Sequence, residues 1–380
     1  MNLESEPAST RAATAVLAAA IVSLVVLAPV AVAQDDQSPT LDVTSVTERP
    51  GFVEAVQQIA QGHEREGVAA LAAIEATRPD DADVHLLHYN LACGHARLKE
   101  IGPALDELSK AIDLGYALNA PRLANLLQDP DLDPLRAEAR FAELLAHAKA
   151  QADELQATWQ KLVAPYVWQP PQPPRPLPLL IVLHPYGVER ESFARARFQP
   201  FCEAHGFALL APSGEQLLAP GRFAWCSESG DFLAQFRKDQ RRVWEALETM
   251  RKTTSIDPER IYVTGVGQGA ALGFAMALRN PQWVRGAVLF GGGYAPATLD
   301  DWIERSAGFG RRVVLVHGED DPLYPIARLP AFVAGLKGKG LAVELVSVAG
   351  GHDWSAEALA AQLGTRIAWI DEVPFKPRPR

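Results

Sequence analysis

The chain has 380 residues, 48% apolar and 22% charged, with a formal net charge of −10. That length supports two or three domains with a sizeable core. An acidic balance with no block of Lys and Arg excludes nucleic acid as a main partner and leaves small substrates open.

Residues 12–33 form one apolar run after Arg11, ending in Ala31-Val32-Ala33 before the polar Gln34-Asp35-Asp36. A small-x-small site directly ahead of polar sequence is the pattern of signal-peptide cleavage. A run of 22 residues is also long enough to cross a bilayer as an uncleaved anchor. Both readings of segment 1–33 put the rest of the chain outside the cytoplasm, as a periplasmic, secreted or N-terminally anchored protein. Membrane contact follows only if the segment stays uncleaved, because no later stretch is apolar for long enough. Residues 34–50 read as a polar tether.

Residues 51–155 carry a helical period rich in Ala, Leu and Glu. Glu66-Gly-Val-Ala-Ala-Leu-Ala-Ala-Ile74 lies 35 residues ahead of Ile101-Gly-Pro-Ala-Leu-Asp-Glu-Leu-Ser109, and Asp129-Pro-Asp-Leu-Asp-Pro-Leu135 leads into a closing helix through Phe141. The offset is close to the ~34-residue period of tetratricopeptide repeats. The stretch from Tyr89 to Gly115 resembles one full repeat of that family, with Ala92 and Ala104 where its paired helices cross. The resemblance implies a small all-α domain, either a plain bundle or a concave surface for a protein or peptide partner. Cys93 falls at a core spacing within it. Cys202 with Cys226 is the one disulfide pair that export would permit, since three cysteines leave one over. His85 and His88 are three apart on a helix with no third ligand in view, and no spacing suggests a metal or cofactor site.

Residues 156–178 include Trp168-Gln-Pro-Pro-Gln-Pro-Pro-Arg-Pro-Leu-Pro178, a stiff connector after a candidate edge strand at 163–168. From 179 to 372 strands and helices alternate, which predicts a doubly wound, mainly parallel sheet. Strands are expected at 179–183, 207–211, 261–264, 286–290, 312–316 and 342–348. Helices are expected at 193–203, 231–251, 268–279, 327–336 and 356–370, with a loop at 213–230.

Four segments at strand ends carry chemistry. Gly265-Val-Gly-Gln-Gly269 turns from a strand into a helix. Leu183-His-Pro-Tyr-Gly187 follows a buried strand. Val313-Val-Leu-Val-His-Gly-Glu-Asp-Asp-Pro322 runs into an acidic turn, and Gly350-Gly-His-Asp-Trp354 follows the last strand. Their order resembles the α/β-hydrolase family, in particular its secreted esterase and polyhydroxyalkanoate-depolymerase-like branch, over residues 165–372. The resemblance implies an α/β-hydrolase sheet acting on small ester-like molecules. Position by position it makes Asp321 the triad acid, with Asp320 as the alternative, and His352 the base. It makes the Gln268 N–H one oxyanion donor and Tyr186 or a neighbour the other, with Pro185 lacking an N–H where the family has His-Gly. It puts Gly267 where Gly-x-Ser-x-Gly holds the nucleophile. His184, Trp225 and Trp354 are candidate cleft-lining residues, and His205 and His317 lie beside strands.

Glycine cannot attack a carbonyl, so the expectation is a catalytically impaired protein that binds a ligand or partner. The alternatives are an ester or peptide hydrolase using water or another nucleophile, such as Ser227, Ser229 or Thr264, with His352 and Asp321, and a purely structural protein. Gly265-x-Gly267-x-x-Ala270 also satisfies a dinucleotide fingerprint, but no acid ends the next strand, as that reading requires.

Overall fold

The computed structural model describes residues 45–171, 176–225, 232–294 and 300–375, with the side chains of 232–235 excepted. Calls on segment 1–33, Cys226, Ser227 and Ser229 therefore lie outside the described residues. Among the described residues no helix is long and apolar enough to cross a membrane.

The N-terminal region is all helical: α1 Phe52–Ala60, α2 Glu64–Ala76, α3 His85–Arg97, α4 Ile101–Asp113, α5 Ala120–Gln128 and α6 Ala139–Leu162. Helices α3 and α4 pack as a hairpin, and Ala92 and Ala104 are both fully buried between them. Small side chains there let two helices approach closely. Asn119 caps α5 by accepting the Arg122 N–H, and Pro121 stands in its first turn, where a missing N–H costs nothing. A Tyr89–Tyr116 stack, with the Tyr89 hydroxyl donating to Asp129 (2.6 Å), ties α3 to the following turns.

His88 acquires the carboxylate neighbours that linear spacing did not reveal: Glu107 at 2.7 Å and Glu75 at 3.8 Å. Lys110 Nζ sits 2.7 Å from Glu107 and 2.9 Å from Glu75 and offsets one of their two charges, so the group is an ion-pair network. Cys93 and Cys202 are buried free thiols. Cys202 is packed among Phe198, Phe201 and Phe207 in the core, while the other member of the candidate pair, Cys226, lies outside the described residues.

The second region is built on a seven-stranded sheet ordered β1-β3-β2-β6-β7-β8-β9. Its strands are β1 Tyr166–Trp168, β2 Leu177–Leu183, β3 Ala208–Ala211, β6 Ile256–Val266, β7 Gly286–Phe290, β8 Arg312–Gly318 and β9 Ala342–Val348, with β4 Gln216–Ala219 and β5 Arg222–Ala224 forming a separate hairpin. Only β1 runs antiparallel, against β3. Strands β2, β7 and β8 are continuous apolar runs because helices cover both faces. One face carries α9 Phe232–Arg251, α10 Gln268–Arg279, α11 Asp300–Gly308 and α12 Leu329–Gly338. The other carries α7 Arg190–Arg197, α8 Gln199–His205 and α13 Ala356–Asp371. This is the α/β-hydrolase sheet, preceded by an all-helical region.

Three expectations are revised. The helix expected at 193–203 is two helices meeting at Phe198, because Pro200 in the first turn of α8 cannot continue the ladder of α7. Helix α11 was not anticipated. The loop expected at 213–230 contains the β4–β5 hairpin, too short to announce itself by alternation. Leu217 and Phe223 of that hairpin pack on Leu118, Leu155, Trp159 and Leu162 of the helical region. Arg222 adds an ion pair to Asp80 at 2.9 Å. The hairpin is thus the wedge between the two regions.

Candidate functional site

Strand β6 ends at Val266 and α10 begins at Gln268, so the chain reverses on Gly267. Its backbone has φ +56° and ψ −119°, a conformation that disfavours any residue with a Cβ. The Gly267 N–H is anchored on the Phe290 carbonyl of the neighbouring strand at 3.0 Å.

The three glycines of the motif differ in why they are glycine. A Cβ on Gly265 would lie 2.6 Å from the Gly269 carbonyl, and one on Gly269 would lie 2.2 Å from the Leu183 carbonyl oxygen. Both are required by close contact of strand and helix backbones. A Cβ on Gly267 meets no backbone. Its nearest neighbours would be His352 Nε2 at 3.3 Å and Pro185 Cβ at 3.6 Å. Of the three, only Gly267 has space for a side chain, and that space faces the histidine.

His352 stands in the loop after β9, and Asp321 in the turn after β8. Their side chains meet with Nδ1 2.8 Å from Oδ2, and both residues are buried. The other carboxylate oxygen of Asp321 accepts the Leu323 and Tyr324 N–H groups, each at 2.9 Å. With Nδ1 donating to this held carboxylate, Nε2 is left as the acceptor facing Gly267, the tautomer that general-base chemistry needs. Asp320, the alternative acid, is exposed, and its N–H is bonded to the Gly350 carbonyl at 3.0 Å. Gly291, which the sequence reading passed over, makes room for the pair. It has φ +48°, and a Cβ there would lie 2.9 Å from His352 Nδ1 and 3.0 Å from Asp321 Oδ2. The only signal for it was the run Gly291-Gly292-Gly293 after β7.

Helix geometry leaves the Gln268 N–H at the start of α10 without an intrahelical carbonyl, available for a developing oxyanion beside Gly267. The Gln268 side chain is buried and locked to Trp225. It accepts the Trp225 N–H at 2.8 Å and donates to the Trp225 carbonyl at 3.2 Å. Tyr186 is half-buried, and its hydroxyl donates to Asp83 of the helical region at 3.4 Å. Gly187 is not a spare donor, since its N–H is bonded to the Phe223 carbonyl at 2.8 Å.

The candidate cleft-lining residues are corrected. His184, Trp225 and Trp354 are 1%, 0% and 3% exposed. Trp225 stacks on His184 and donates from Nε1 to the His184 carbonyl at 2.8 Å, while Trp354 packs edge-on against Phe290. Their rings are held out of water by these contacts, and of the three Trp225 is tied to the elbow, through Gln268. Thr264 is fully buried and donates to the Val288 carbonyl at 2.7 Å, so its hydroxyl is committed to the core. His317 is buried against Tyr294, and His205 packs on Phe201.

Burial holds His184 down to about 4, consistent with its bonding. Nδ1 lies 2.8 Å from the Pro185 carbonyl, and Nε2 accepts the Gly214 N–H at 3.0 Å. The folded state therefore binds a proton on this ring less readily than the unfolded chain, whose histidine titrates near ~6.5. The resulting stability is present above about pH 6.5 and is lost as pH falls from ~6.5 towards 4. Burial also pushes His317 down to about 4, so the two act in the same window. Thermal melts are expected to show a fall on the order of 3 kcal/mol per histidine across it. His184→Gln should flatten that slope, and a slope unchanged by the substitution would contradict the assignment.

Residues 165–362 match the family model described as Phospholipase/Carboxylesterase. Similar solved structures include an uncharacterized protein from Bacillus cereus ATCC 10987, 15% identical, covering 84% of this chain and 98% of that one with a TM-score of 0.43. Esterase PE8 is 19% identical, covering 55% of this chain and 99% of that one with a TM-score of 0.42. The Bacillus cereus carboxylesterase is 19% identical, covering 57% and 98% with a TM-score of 0.41. On the match over residues 165–362, this chain belongs to the Phospholipase/Carboxylesterase family of α/β-hydrolases.

Proposed function

We propose that this is an exported member of the family whose ester chemistry is impaired, because Gly267 stands where the serine nucleophile belongs, and that it acts by binding. The observation that carries this reading is the empty side-chain position 3.3 Å from His352 Nε2, beside an intact His352–Asp321 pair. An elbow without its hydroxyl retains only the ~10³–10⁴-fold acceleration over water that binding and an oxyanion hole supply. The ligand in this proposal is a small ester-like molecule at the elbow. The helical region, with its tetratricopeptide-like spacing and the close α3–α4 crossing, takes a protein or peptide partner. Export rests on the apolar run and the Ala31-Val32-Ala33 site.

A second reading is favoured by the retained dyad itself. A water held at His352 Nε2 in the space above Gly267 would be activated as the nucleophile, giving slow but real ester hydrolysis. Assays on short and medium acyl p-nitrophenyl esters separate the two. The expected result is no turnover above background that His352→Ala removes. Turnover more than about tenfold above background that His352→Ala abolishes would replace the binding reading with the water route.

A further inference from the structure

At the far end of α10 from the elbow, about 18 Å along a helix of 12 residues, the surface carries a second arrangement. An open groove of about 680 Å³ is lined by Arg237, Arg241 and Trp244 of α9, by Lys252 in the turn just after it, and by Arg279, the last residue of α10. None of these four cations forms an ion pair among the described residues. Their neighbours on the same helix do: Arg242 pairs with Glu215, and Arg251 with Glu248. Glu245 and Glu248 also border the groove. Glu248 is already engaged by Arg251, so four cations face one unpaired carboxylate in a protein of net charge −10.

Arg279 is the built part of this groove. Its guanidinium is held 5.6 Å from the Phe236 ring and 5.2 Å from the Trp302 ring. Its Nη1 is buried with no hydrogen-bond partner. A buried donor without an acceptor is costly, and burial together with Arg237 and Arg305 lowers the pKa of this guanidinium. An anion in the groove would relieve this crowding of like charges. Adjoining the basic groove is a smaller depression of about 290 Å³ shared with Trp244 and continuing to Leu247 and Trp283. Trp283 is 49% exposed, a large apolar surface for a residue of its type.

We infer that this groove binds a phosphate ester bearing an apolar or ring substituent, with the phosphate on Arg241 and Arg279 and the substituent on Trp244 and Trp283. A phosphate presents several acceptor oxygens and up to two charges, matching forked guanidinium donors. The indole faces match the substituent. The same chemistry is offered by a soluble phosphate ester and by an anionic lipid headgroup.

The test uses the full chain with two probes. Calorimetric titration with phenyl phosphate reports the soluble source. Co-sedimentation with phosphatidylglycerol–phosphatidylcholine vesicles, against pure phosphatidylcholine, reports the headgroup. Arg237→Gln/Arg241→Gln changes two exposed positions and keeps the fold, and Arg279→Gln removes the half-buried guanidinium at the end of α10. Each variant is expected to weaken binding by about tenfold or more, as loss of a charge-assisted hydrogen bond does, and added salt is expected to weaken it too. Binding of phenyl phosphate with this pattern assigns a soluble ligand. Binding only to anionic vesicles with this pattern assigns a headgroup. Binding of neither probe, or binding that the double variant leaves unchanged, overturns the site.

Discussion

Gly267→Ser is expected to raise p-nitrophenyl ester hydrolysis by at least ~10²-fold over the unmodified protein, the direction set by restoring a missing triad member. A Cβ at this position meets His352 Nε2 at 3.3 Å, so an oxygen one bond further is within hydrogen-bonding reach after a small shift of the ring. The base is already oriented, because Asp321 takes three hydrogen bonds that leave Nε2 as the acceptor. The Gln268 N–H at the start of α10 supplies an oxyanion donor. The substitution has a conformational cost, since a side chain at φ +56° is strained by about 1–3 kcal/mol. Gly267→Ala should show the same loss of stability with no gain in activity. Adding His352→Ala to Gly267→Ser should return activity to its starting level. If Gly267→Ser folds and gains nothing, the elbow is either closed to substrate or short of its second oxyanion donor, and the reading of Gly267 as the one missing part of the site fails.

The second large effect concerns stability. Gly269→Ala is expected to destabilise the chain by about 3 kcal/mol or more, at the upper end of overpacking substitutions. The added carbon would lie 2.2 Å from the Leu183 carbonyl oxygen and 2.6 Å from that of His184, both backbone atoms of β2 and the loop after it. Neither can turn aside, so the N-terminus of α10 must move off the sheet. The melting temperature should drop by on the order of 10 °C, well beyond the drop for Gly267→Ala. Equal destabilisation by the two substitutions would show that close backbone contact is not what keeps residue 269 a glycine.

The contrast between these two glycines also marks how far linear reading reaches. A motif of three glycines spaced by one residue is compatible with a degenerate nucleophile elbow and with a phosphate-binding turn. Spacing alone leaves that choice open, because a glycine dictated by strand–helix contact and one merely tolerated are the same letter. The distinction requires knowing what stands opposite each Cα: β2 carbonyls for Gly269, and an imidazole for Gly267. The acid and the histidine were legible because strand-end positions in a parallel sheet converge on one edge whatever the side chains between them. Gly291 was not legible, since its role is to leave space for two residues 30 and 61 positions downstream.

Local pattern alone determined the alternation of strands and helices after residue 179, the helical character before it, and the order of the four strand-end motifs. Periodicity is imprinted by burial on one face or both, and so is written along the chain. The tertiary structure decided what depends on distant partners. It turned His184, Trp225 and Trp354 from candidate lining into buried side chains, because Trp225 stacks on His184 and Trp354 packs on Phe290. It made Leu217 and Phe223 a wedge between two regions, because α6 runs on to Leu162 and presents Trp159 to them. It also brought Glu75 of α2 and Glu107 and Lys110 of α4 around His88 of α3. These are pair properties of the folded chain, and neither partner's neighbours in sequence carry their trace.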